Sequence, residues 1–312
     1  MRLYFSLILS IYLKMRDQVL AYIKAFFRGF GQIMLQGNAW TGILFIGAIL
    51  YDSTLMGFAG ILANVVGVAT AKILKYDKDH IDNGLFGFNA SLFGVALVFY
   101  FEANIWIWMT LILGSMLTTL MMGFALKRNL PAFTFPFIAV TWISLYILSI
   151  PQLAMPTVSQ HFVDIQEMDD FLIEGHAFGQ VIFQGSLIAG LVFFLGVFMS
   201  NPMAALYAFA AVIISIYLSH YGHESETMIS NGTFSFNAVL CGIALSGTRV
   251  RDGLYVLIAV VIATYCDHVL VHYGWTTLTF PFVVAMWAME PVKRLDKWIV
   301  GRFEETFKSR LS

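Results

Sequence analysis

Residues 83–97 read Asn-Gly-Leu-Phe-Gly-Phe-Asn-Ala-Ser-Leu-Phe-Gly-Val-Ala-Leu, and residues 231–245 read Asn-Gly-Thr-Phe-Ser-Phe-Asn-Ala-Val-Leu-Cys-Gly-Ile-Ala-Leu. Ten of these fifteen positions are identical, whereas a chain of this composition would give about one match by chance. The second copy lies 148 residues after the first, about half the chain, and so indicates an internal duplication.

Two further blocks repeat in the same order. Phe-Gly-Gln at 30–32 recurs at 178–180, and Thr-Phe-Pro-Phe at 134–137 recurs at 279–282. Three paired blocks in one order indicate that the whole unit was duplicated. In membrane proteins, such repeats commonly lie on either side of the transport path.

The composition predicts an all-α integral membrane protein. Hydrophobic residues make up 59% of the chain and charged residues 12%, against roughly 25% charged residues in an ordinary soluble domain. Apolar runs close to bilayer length occur at 55–73, 103–126, 187–199 and 254–271. The net charge of −1 gives no electrostatic reason to expect a nucleic-acid partner.

Neither a metal nor a cofactor is expected. The two cysteines, Cys241 and Cys266, lie in apolar segments without the spacing of a metal site or a disulfide framework. The apolar N-terminal stretch lacks a small-residue cleavage site, and basic residues follow it directly. We therefore predict a retained amphipathic segment at the membrane surface instead of a cleaved signal peptide.

The basic residues predict the topology. If each half crosses the membrane five times from a cytoplasmic N-terminus, all 18 Lys and Arg fall on the cytoplasmic side, as the positive-inside rule requires. An odd number of crossings inserts the second half upside down, which gives two inverted-topology repeats of five transmembrane helices. The predicted loops lie near 51–54, 72–82, 101–104, 127–130, 200–202, 219–230, 246–252 and 272–275.

The chain therefore divides into five predicted segments. They are an N-terminal amphipathic cytoplasmic segment (1–28), a first transmembrane repeat (29–150), an acidic extracytoplasmic connector (151–177), a second, inverted repeat (178–291) and a basic cytoplasmic tail (292–312). The connector has no Lys or Arg, which agrees with its placement outside. The tail is expected to bind anionic lipid.

The duplicated block is unusual for a helix that spans a membrane, because it opens with polar residues and glycine. We predict re-entrant or half-spanning pore helices at Asn83–Ser91 and Asn231–Val239, since irregular backbone at membrane depth is tolerated only beside protein or a water-filled path. The glycines of the block are expected to pack helices closely. At four-residue spacing, an aromatic residue and a leucine share one helix face: Phe88 with Leu92, and Phe236 with Leu240.

Prolines interrupt the helices near the third pair of blocks. Pro131 and Pro136 in the first copy, and Pro281 in the second, leave backbone carbonyls without helical partners. Thr134 and Thr279 occupy equivalent places beside these breaks. We therefore predict that both threonines line the path.

Residues 130–137, Leu-Pro-Ala-Phe-Thr-Phe-Pro-Phe, resemble the signature of the urea transporter family. The Asn-Gly-Leu-Phe-Gly-Phe-Asn-Ala block and the Arg-Gly-Phe-Gly-Gln block at 28–32 are similar to that family's other hallmarks. The resemblance runs from about 28 to 290 and implies passive, channel-like facilitated diffusion of urea. It also implies a homo-oligomer, typically a trimer with one pore per protomer. A bacterial-type inner membrane with both termini cytoplasmic is the expected location.

The resemblance also implies roles for individual residues. Gln32 and Gln180 match the polar residues of two urea-holding vestibules, and Thr134 and Thr279 match the central pair. The matching apolar walls and slot residues are Phe88, Leu92, Phe236, Leu240, Leu35 and Phe183. The second copy departs from the signature, because residues 275–278 read Trp-Thr-Thr-Leu where residues 130–133 read Leu-Pro-Ala-Phe.

Two alternatives remain open at this stage. The path could pass related amides, ammonia or water as readily as urea. An intramembrane enzyme would use Asp267, His268 and His272, which have no acidic or histidine counterparts in the first half. The topology places these three residues within a turn or two of the outer surface, where we expect a water-accessible structural pair.

Overall fold

A computed structural model describes residues 2–149, 154–157 and 170–311. Within them the chain is almost entirely helical and contains no β-strand, apart from an isolated bridge between Phe101 and Pro156. The all-α fold is therefore confirmed. Much of the predicted acidic connector, including Asp164, Glu167 and Asp169, lies outside the described residues.

The first half contains seven helices and one 3-10 turn among the described residues. These are α1 (Arg2–Gly31), the 3-10 turn Gln32–Met34, α2 (Ala39–Asp52), α3 (Thr54–Ile73), α4 (Lys78–Asp82), α5 (Phe88–Tyr100), α6 (Ile105–Lys127) and α7 (Phe135–Ser149). The predicted boundary at residue 28 falls inside α1.

The described second half contains seven helices in the same order. These are α8 (Asp170–Gln180), α9 (Leu187–Ser200), α10 (Pro202–Tyr221), α11 (Glu226–Ser230), α12 (Phe236–Leu245), α13 (Val250–His272) and α14 (Phe280–Leu311). Equivalent helices match in length: α2 and α9 have 14 residues, α3 and α10 have 20, and α6 and α13 have 23. Each of the eight predicted loops contains a break between helices.

Four of the described helices are long and apolar enough to cross a bilayer alone, namely α3, α6, α10 and α13. At 1.5 Å per residue they measure roughly 30–35 Å, which matches a hydrocarbon core of about 30 Å. A fifth candidate is the pair formed by α1 and α2, which meet at a bend of 73°. Helices α5, α7, α9 and α12 are apolar but have only 10 to 15 residues. The ten predicted crossings therefore depend on these shorter helices as well.

The predicted pore helices begin later than the sequence pattern indicates. Helix α5 begins at Phe88 and α12 at Phe236, and the residues before each form a turn. Gly84 and Gly232 have φ of 77° and 72°, a left-handed conformation that favours glycine. An added Cβ would lie 2.4 Å from the Gly29 nitrogen in the first copy, so this turn also requires glycine for space.

Polar side chains at equivalent positions fix the starts of the helices. Asn38 accepts from the Trp40 amide at 2.9 Å before α2, and Ser186 occupies the same cap position before α9. Ser53 and Asn201 likewise cap α3 and α10. Such caps satisfy amides that have no partner in the first helical turn.

Glycines bring the helices of each half into close contact, as the sequence predicts. A Cβ on Gly94 of α5 would lie 2.6 Å from the Ala59 carbonyl oxygen of α3. A Cβ on Gly242 of α12 would lie 2.6 Å from Ala208 Cα of α10. Only glycine permits this backbone approach, which holds the short helix against the long one.

The two halves meet along α2 and α9, which pack against each other. Phe45 and Phe193 are both fully buried there, with ring centroids 4.6 Å apart. The Thr41 hydroxyl donates to the Gly196 carbonyl at 3.1 Å. Because α2 and α9 are equivalent helices, the same surface of each half forms this contact.

Candidate pore between the two halves

Thr134 and Thr279 contact each other directly. The Thr279 hydroxyl donates a hydrogen bond to Thr134 Oγ1 at 2.7 Å. Both side chains are buried, with exposed fractions of 3% and 2%. The two Thr-Phe-Pro-Phe blocks, 145 residues apart in the chain, therefore meet at one point in the interior.

The backbone before each threonine has the same shape in both halves. Phe133 and Leu278 precede the threonines, and each has φ of 47°. Helices α7 and α14 begin just after the threonines, at Phe135 and Phe280. This shape is kept although the preceding residues differ between the copies, so the departure from the signature leaves the helix break intact.

An asparagine of the duplicated block stabilises the break in the first half. Asn89 Oδ1 accepts from the Phe137 amide at 3.1 Å, and its Nδ2 donates to the Phe133 carbonyl at 3.2 Å. The same Nδ2 lies 3.9 Å from Met122 Sδ. The side chain thus bridges both sides of Thr134. This role was not predicted, although the recurrence of Phe-Asn-Ala in both copies was its signal.

Asn237 makes the equivalent bridge in the second half. It accepts from the Phe282 amide at 3.1 Å and donates to the Leu278 carbonyl at 3.2 Å. Its Nδ2 also bonds to the carboxylate of Asp267, at 3.2 and 3.0 Å from the two oxygens. Asp267 occupies the position that Met122 has in the first half.

The prediction that Asp267 and His268 form a water-accessible pair is wrong for Asp267. This carboxylate is 0% exposed and lies behind Asn237, because its face of α13 is turned towards α12. His268 is partly buried and contacts the Ser219 hydroxyl at 3.0 Å, with Glu224 at 3.6 Å. His272 is exposed. The three residues therefore do not converge on one site.

Two tryptophans connect the halves reciprocally. Trp142 Nε1 of α7 donates to the Thr276 carbonyl at 2.8 Å, and Trp287 Nε1 of α14 donates to the Pro131 carbonyl at 2.8 Å. The donors are equivalent residues, and so are the acceptors. Each helix therefore supports the segment that leads to the threonine of the opposite half. Neither tryptophan was predicted, although both stand at the spacing of the third pair of blocks.

The aromatic contacts beside these hydrogen bonds also join one half to the other. The ring of Trp142 lies 5.1 Å from that of Phe280, and the ring of Trp287 lies 5.4 Å from that of Phe135. Each tryptophan therefore packs on the phenylalanine that follows the other half's threonine.

A cavity of about 240 Å³ lies between the two halves and is lined mostly by the second, with four predicted residues in its wall: Gln180, Phe183, Phe236 and Thr279. This is several times the ~30 Å³ that one water molecule occupies in the liquid. The rest of its wall is mostly aromatic and hydroxylic, with three aliphatic side chains. The additional residues include Phe99, Tyr100, Phe137, Thr233, Trp275, Thr276 and Thr277.

The loop after α1 and the loop after α8 have the same shape. Leu35 and Phe183, three residues after the two glutamines, have φ of 59° and 61°. The Gln36 and Gln184 amides donate hydrogen bonds to the Gly31 and Gly179 carbonyls, each at 3.0 Å. Gln32 Nε2 donates to the Asn83 carbonyl at 3.1 Å, which ties this loop to the duplicated block. Gln180 instead lines the cavity.

The remaining predicted wall residues lie inside the helix bundle. Leu92 and Leu240 are 0% and 1% exposed, and Phe88 is 4% exposed. Helix α5 packs on α7 and on the turn that begins at Gln32, and α12 packs on α14. The structure therefore places these side chains on the helices that flank the two threonines.

Comparison with known proteins identifies the family. A family profile described as "Urea transporter" matches residues 23–293. Urea transporter 1 of Ovis aries is 25% identical over 302 residues, covering 88% of this chain and 78% of the relative. Urea transporter 1 of Rattus norvegicus is 25% identical over 256 residues, covering 76% and 66%. The chain therefore belongs to the urea transporter family.

Proposed function

We propose that the chain lets urea diffuse passively through a slot between its two halves, with Thr134 and Thr279 at the centre. The observation that carries the proposal is the buried contact between these hydroxyls, which is flanked by two equivalent helix breaks. Transport of urea across a membrane follows from family membership. The intramembrane enzyme is set aside for the same reason, because the family consists of transport proteins.

The chemistry of the site suits a flat, neutral molecule with four N–H donors. A buried N–H group without an acceptor costs roughly 1–3 kcal/mol, so a urea slot needs acceptors along its length. A threonine oxygen has two lone pairs, and the bond from Thr279 uses only one on Thr134. The Gln32 amide nitrogen is held by Asn83, which leaves its side-chain oxygen free to accept.

Apolar side chains would cover the two faces of the molecule. Phe183 and Phe236 stand in the cavity that contains Gln180, and Phe99 lies 4.8 Å from Phe183 between ring centroids. In the first half, Leu35, Phe88 and Leu92 would have this role, with Leu240 in the second. These apolar side chains cannot replace the hydration shell of an ion, so the slot favours neutral permeants. Several weak acceptors in series permit fast exchange.

The contacts between equivalent residues support an inverted repeat. Phe45 contacts Phe193, and Thr134 contacts Thr279. Contact between the same surfaces of two units is typical of a two-fold axis. The predicted placement of all Lys and Arg on one side supports an axis in the membrane plane, with both termini cytoplasmic. We further propose a homo-oligomer, a trimer on the basis of the resemblance, in the cell membrane.

Urea uptake by reconstituted vesicles tests the proposal. Vesicles containing the purified protein should take up urea faster than protein-free vesicles in stopped-flow measurements, without a sodium or proton gradient. Equal rates would overturn the proposal. Thiourea, formamide, ammonia and water, measured in the same vesicles, separate a urea-selective slot from the broader channel.

Substitution of the central threonines tests the site. Thr134→Val or Thr279→Val removes an acceptor at nearly constant volume, and we expect flux to fall roughly five- to one-hundredfold. Thr118→Val is the matched control, because that buried hydroxyl donates to the Ser115 carbonyl of its own helix. If both central variants conduct urea as fast as the control, the proposal that hydrogen-bond acceptors line the slot is refuted.

A further inference from the structure

The segment that leads to the second threonine differs from the first at all four residues, and a further exchange lies on the neighbouring helix. Three of the exchanged pairs form one set: Pro131 and Thr276, Ala132 and Thr277, and Met122 and Asp267. In each half, the third residue of the set lies beside the bridging asparagine. Despite the exchanges, Phe133 and Leu278 have the same φ of 47°. Two chemically different sets therefore produce one backbone shape.

In the first half, proline contributes directly to this shape. The ring of Pro131 fixes φ near −65° and so reduces the freedom of the segment before Thr134. Thr276 stands at the equivalent place and has no such constraint. A left-handed Leu278 is an unfavourable conformation for a residue with a Cβ. The second half therefore needs another source of rigidity.

Asp267 supplies contacts that Met122 does not. Both of its oxygens accept from Asn237 Nδ2, at 3.2 and 3.0 Å, and the Thr277 side chain lies beside the same carboxyl group. Ala132, at the equivalent place, has no hydroxyl. A hydrogen bond from an amide nitrogen to a carboxyl oxygen at 3.0 Å is far stronger than the 3.9 Å contact with the Met122 thioether.

We propose that Asp267 is a positioning residue that takes the place of Pro131 in the second half. It accepts from Asn237, which holds the Leu278 carbonyl and the amide after the break, and it lies beside Thr277, two residues before Thr279. The Asp267 carboxyl group thereby holds the Thr279 hydroxyl within hydrogen-bond distance of the Thr134 hydroxyl. This inference rests on the proposed function, because it assigns Asp267 to the support of that same slot.

Single substitutions separate the carboxylate's hydrogen bonds from its bulk. Asp267→Met introduces the residue of the first half without its proline, and we expect urea flux to fall about fivefold or more. Asp267→Asn keeps a carbonyl acceptor and should retain at least half of the wild-type flux, about the level expected when one acceptor survives. Thr277→Ala should give an intermediate loss. Thr118→Val again serves as the control, and melting of each purified variant shows whether it is folded.

A variant that carries the three first-half residues in the second half tests whether the two sets are interchangeable. The triple variant Asp267→Met, Thr276→Pro and Thr277→Ala recreates the first-half set, and it should recover most of the flux that Asp267→Met loses. The double variant Asp267→Met with Thr279→Val should lose little more than Thr279→Val alone, because the first residue acts through the second. If the fold-losses of the two single variants multiply in the double variant, the cause is a general packing defect, and the positioning role is overturned.

The outcomes separate this inference from the proposed function. If wild-type vesicles take up no urea, the proposed function fails. If the wild type conducts and folded Asp267→Met conducts equally well, only the role of Asp267 fails. Failure of the triple variant to recover flux, when it is folded, would also overturn the exchange with Pro131.

Discussion

Phe45 and Phe193, which occupy equivalent positions in the two halves, pack on each other with ring centroids 4.6 Å apart. Both rings are fully buried. The contact lies where α2 of one half meets α9 of the other. Any change at this point therefore acts on the association of the halves as well as on the packing within each.

Truncation of either ring should weaken the whole protein. Phe45→Ala or Phe193→Ala should lower the free energy of unfolding by about 3–5 kcal/mol, because each leaves a cavity in the core. The double variant should cost less than the sum, since the two rings are partners. Unfolding of the purified protein in detergent measures both effects. Phe58→Ala, at an exposed ring, is the control and should have little effect.

Loss of either indole donor should reduce flux to a similar extent. Trp142→Phe and Trp287→Phe each keep the ring but remove a 2.8 Å hydrogen bond to the opposite half. A net loss of about 1 kcal/mol corresponds to roughly fivefold in flux if the bond positions the slot. Stopped-flow urea uptake measures the change, with Trp40→Phe, at an exposed residue, as control. Unaltered flux in both variants would contradict the reciprocal support.

The two bridging asparagines should differ in their response to the same substitution. Asn89→Asp keeps the acceptor for the Phe137 amide but loses the donor to the Phe133 carbonyl. Asn237→Asp does the same and also places a second carboxylate against Asp267, which is now 3.0 Å from the amide nitrogen. Two carboxyl groups at this distance cannot both ionise without strong repulsion in a buried site.

We therefore expect Asn237→Asp to lose more urea flux and more thermal stability than Asn89→Asp. The comparison is internally controlled, because the chemical change is identical and only the neighbouring residue differs. Equal losses in the two variants would show that Asp267 has no influence on its neighbour.

Asp52 should contribute to stability through the opposite half. Its Oδ2 accepts from the amides of Gly185 and Ser186 at 2.9 and 3.3 Å, just before α9 begins. Asp52→Ala should lower the free energy of unfolding by about 2–3 kcal/mol, since bonds to a charged group are among the stronger ones. Glu102→Ala, at an exposed carboxylate, is the control. A loss no larger than that of the control would exclude this role.

Much of the fold follows from local features of the sequence. The apolar runs and their polar caps set the helix ends, as at Asn38 and Ser53, and the repeat itself assigned equivalent residues. The pairing of Thr134 with Thr279 was predicted as a shared location. The later start of α5 at Phe88 was not, because the left-handed Gly84 depends on the close backbone of α1.

The sequence pattern could not predict the contacts between the halves. A repeat shows that Trp142 corresponds to Trp287, but it does not show that each donates to the other half's segment. That exchange is a property of how the halves are arranged in space. For Asp267, position along α13 indicated a depth near the outer surface but not which side of the helix it occupies.

The reciprocal hydrogen bonds have a consequence for synthesis. Trp142 and its acceptor at Thr276 are 134 residues apart, so at 5–20 residues per second the ribosome needs roughly 7–27 s to supply the partner. Until then, the first half stands in the membrane with this indole and the Thr134 hydroxyl unpaired by their final partners. The proposed path is completed only when α14, which carries Trp287, has begun to leave the ribosome. A chain terminated midway would therefore contain no half-sized version of that path.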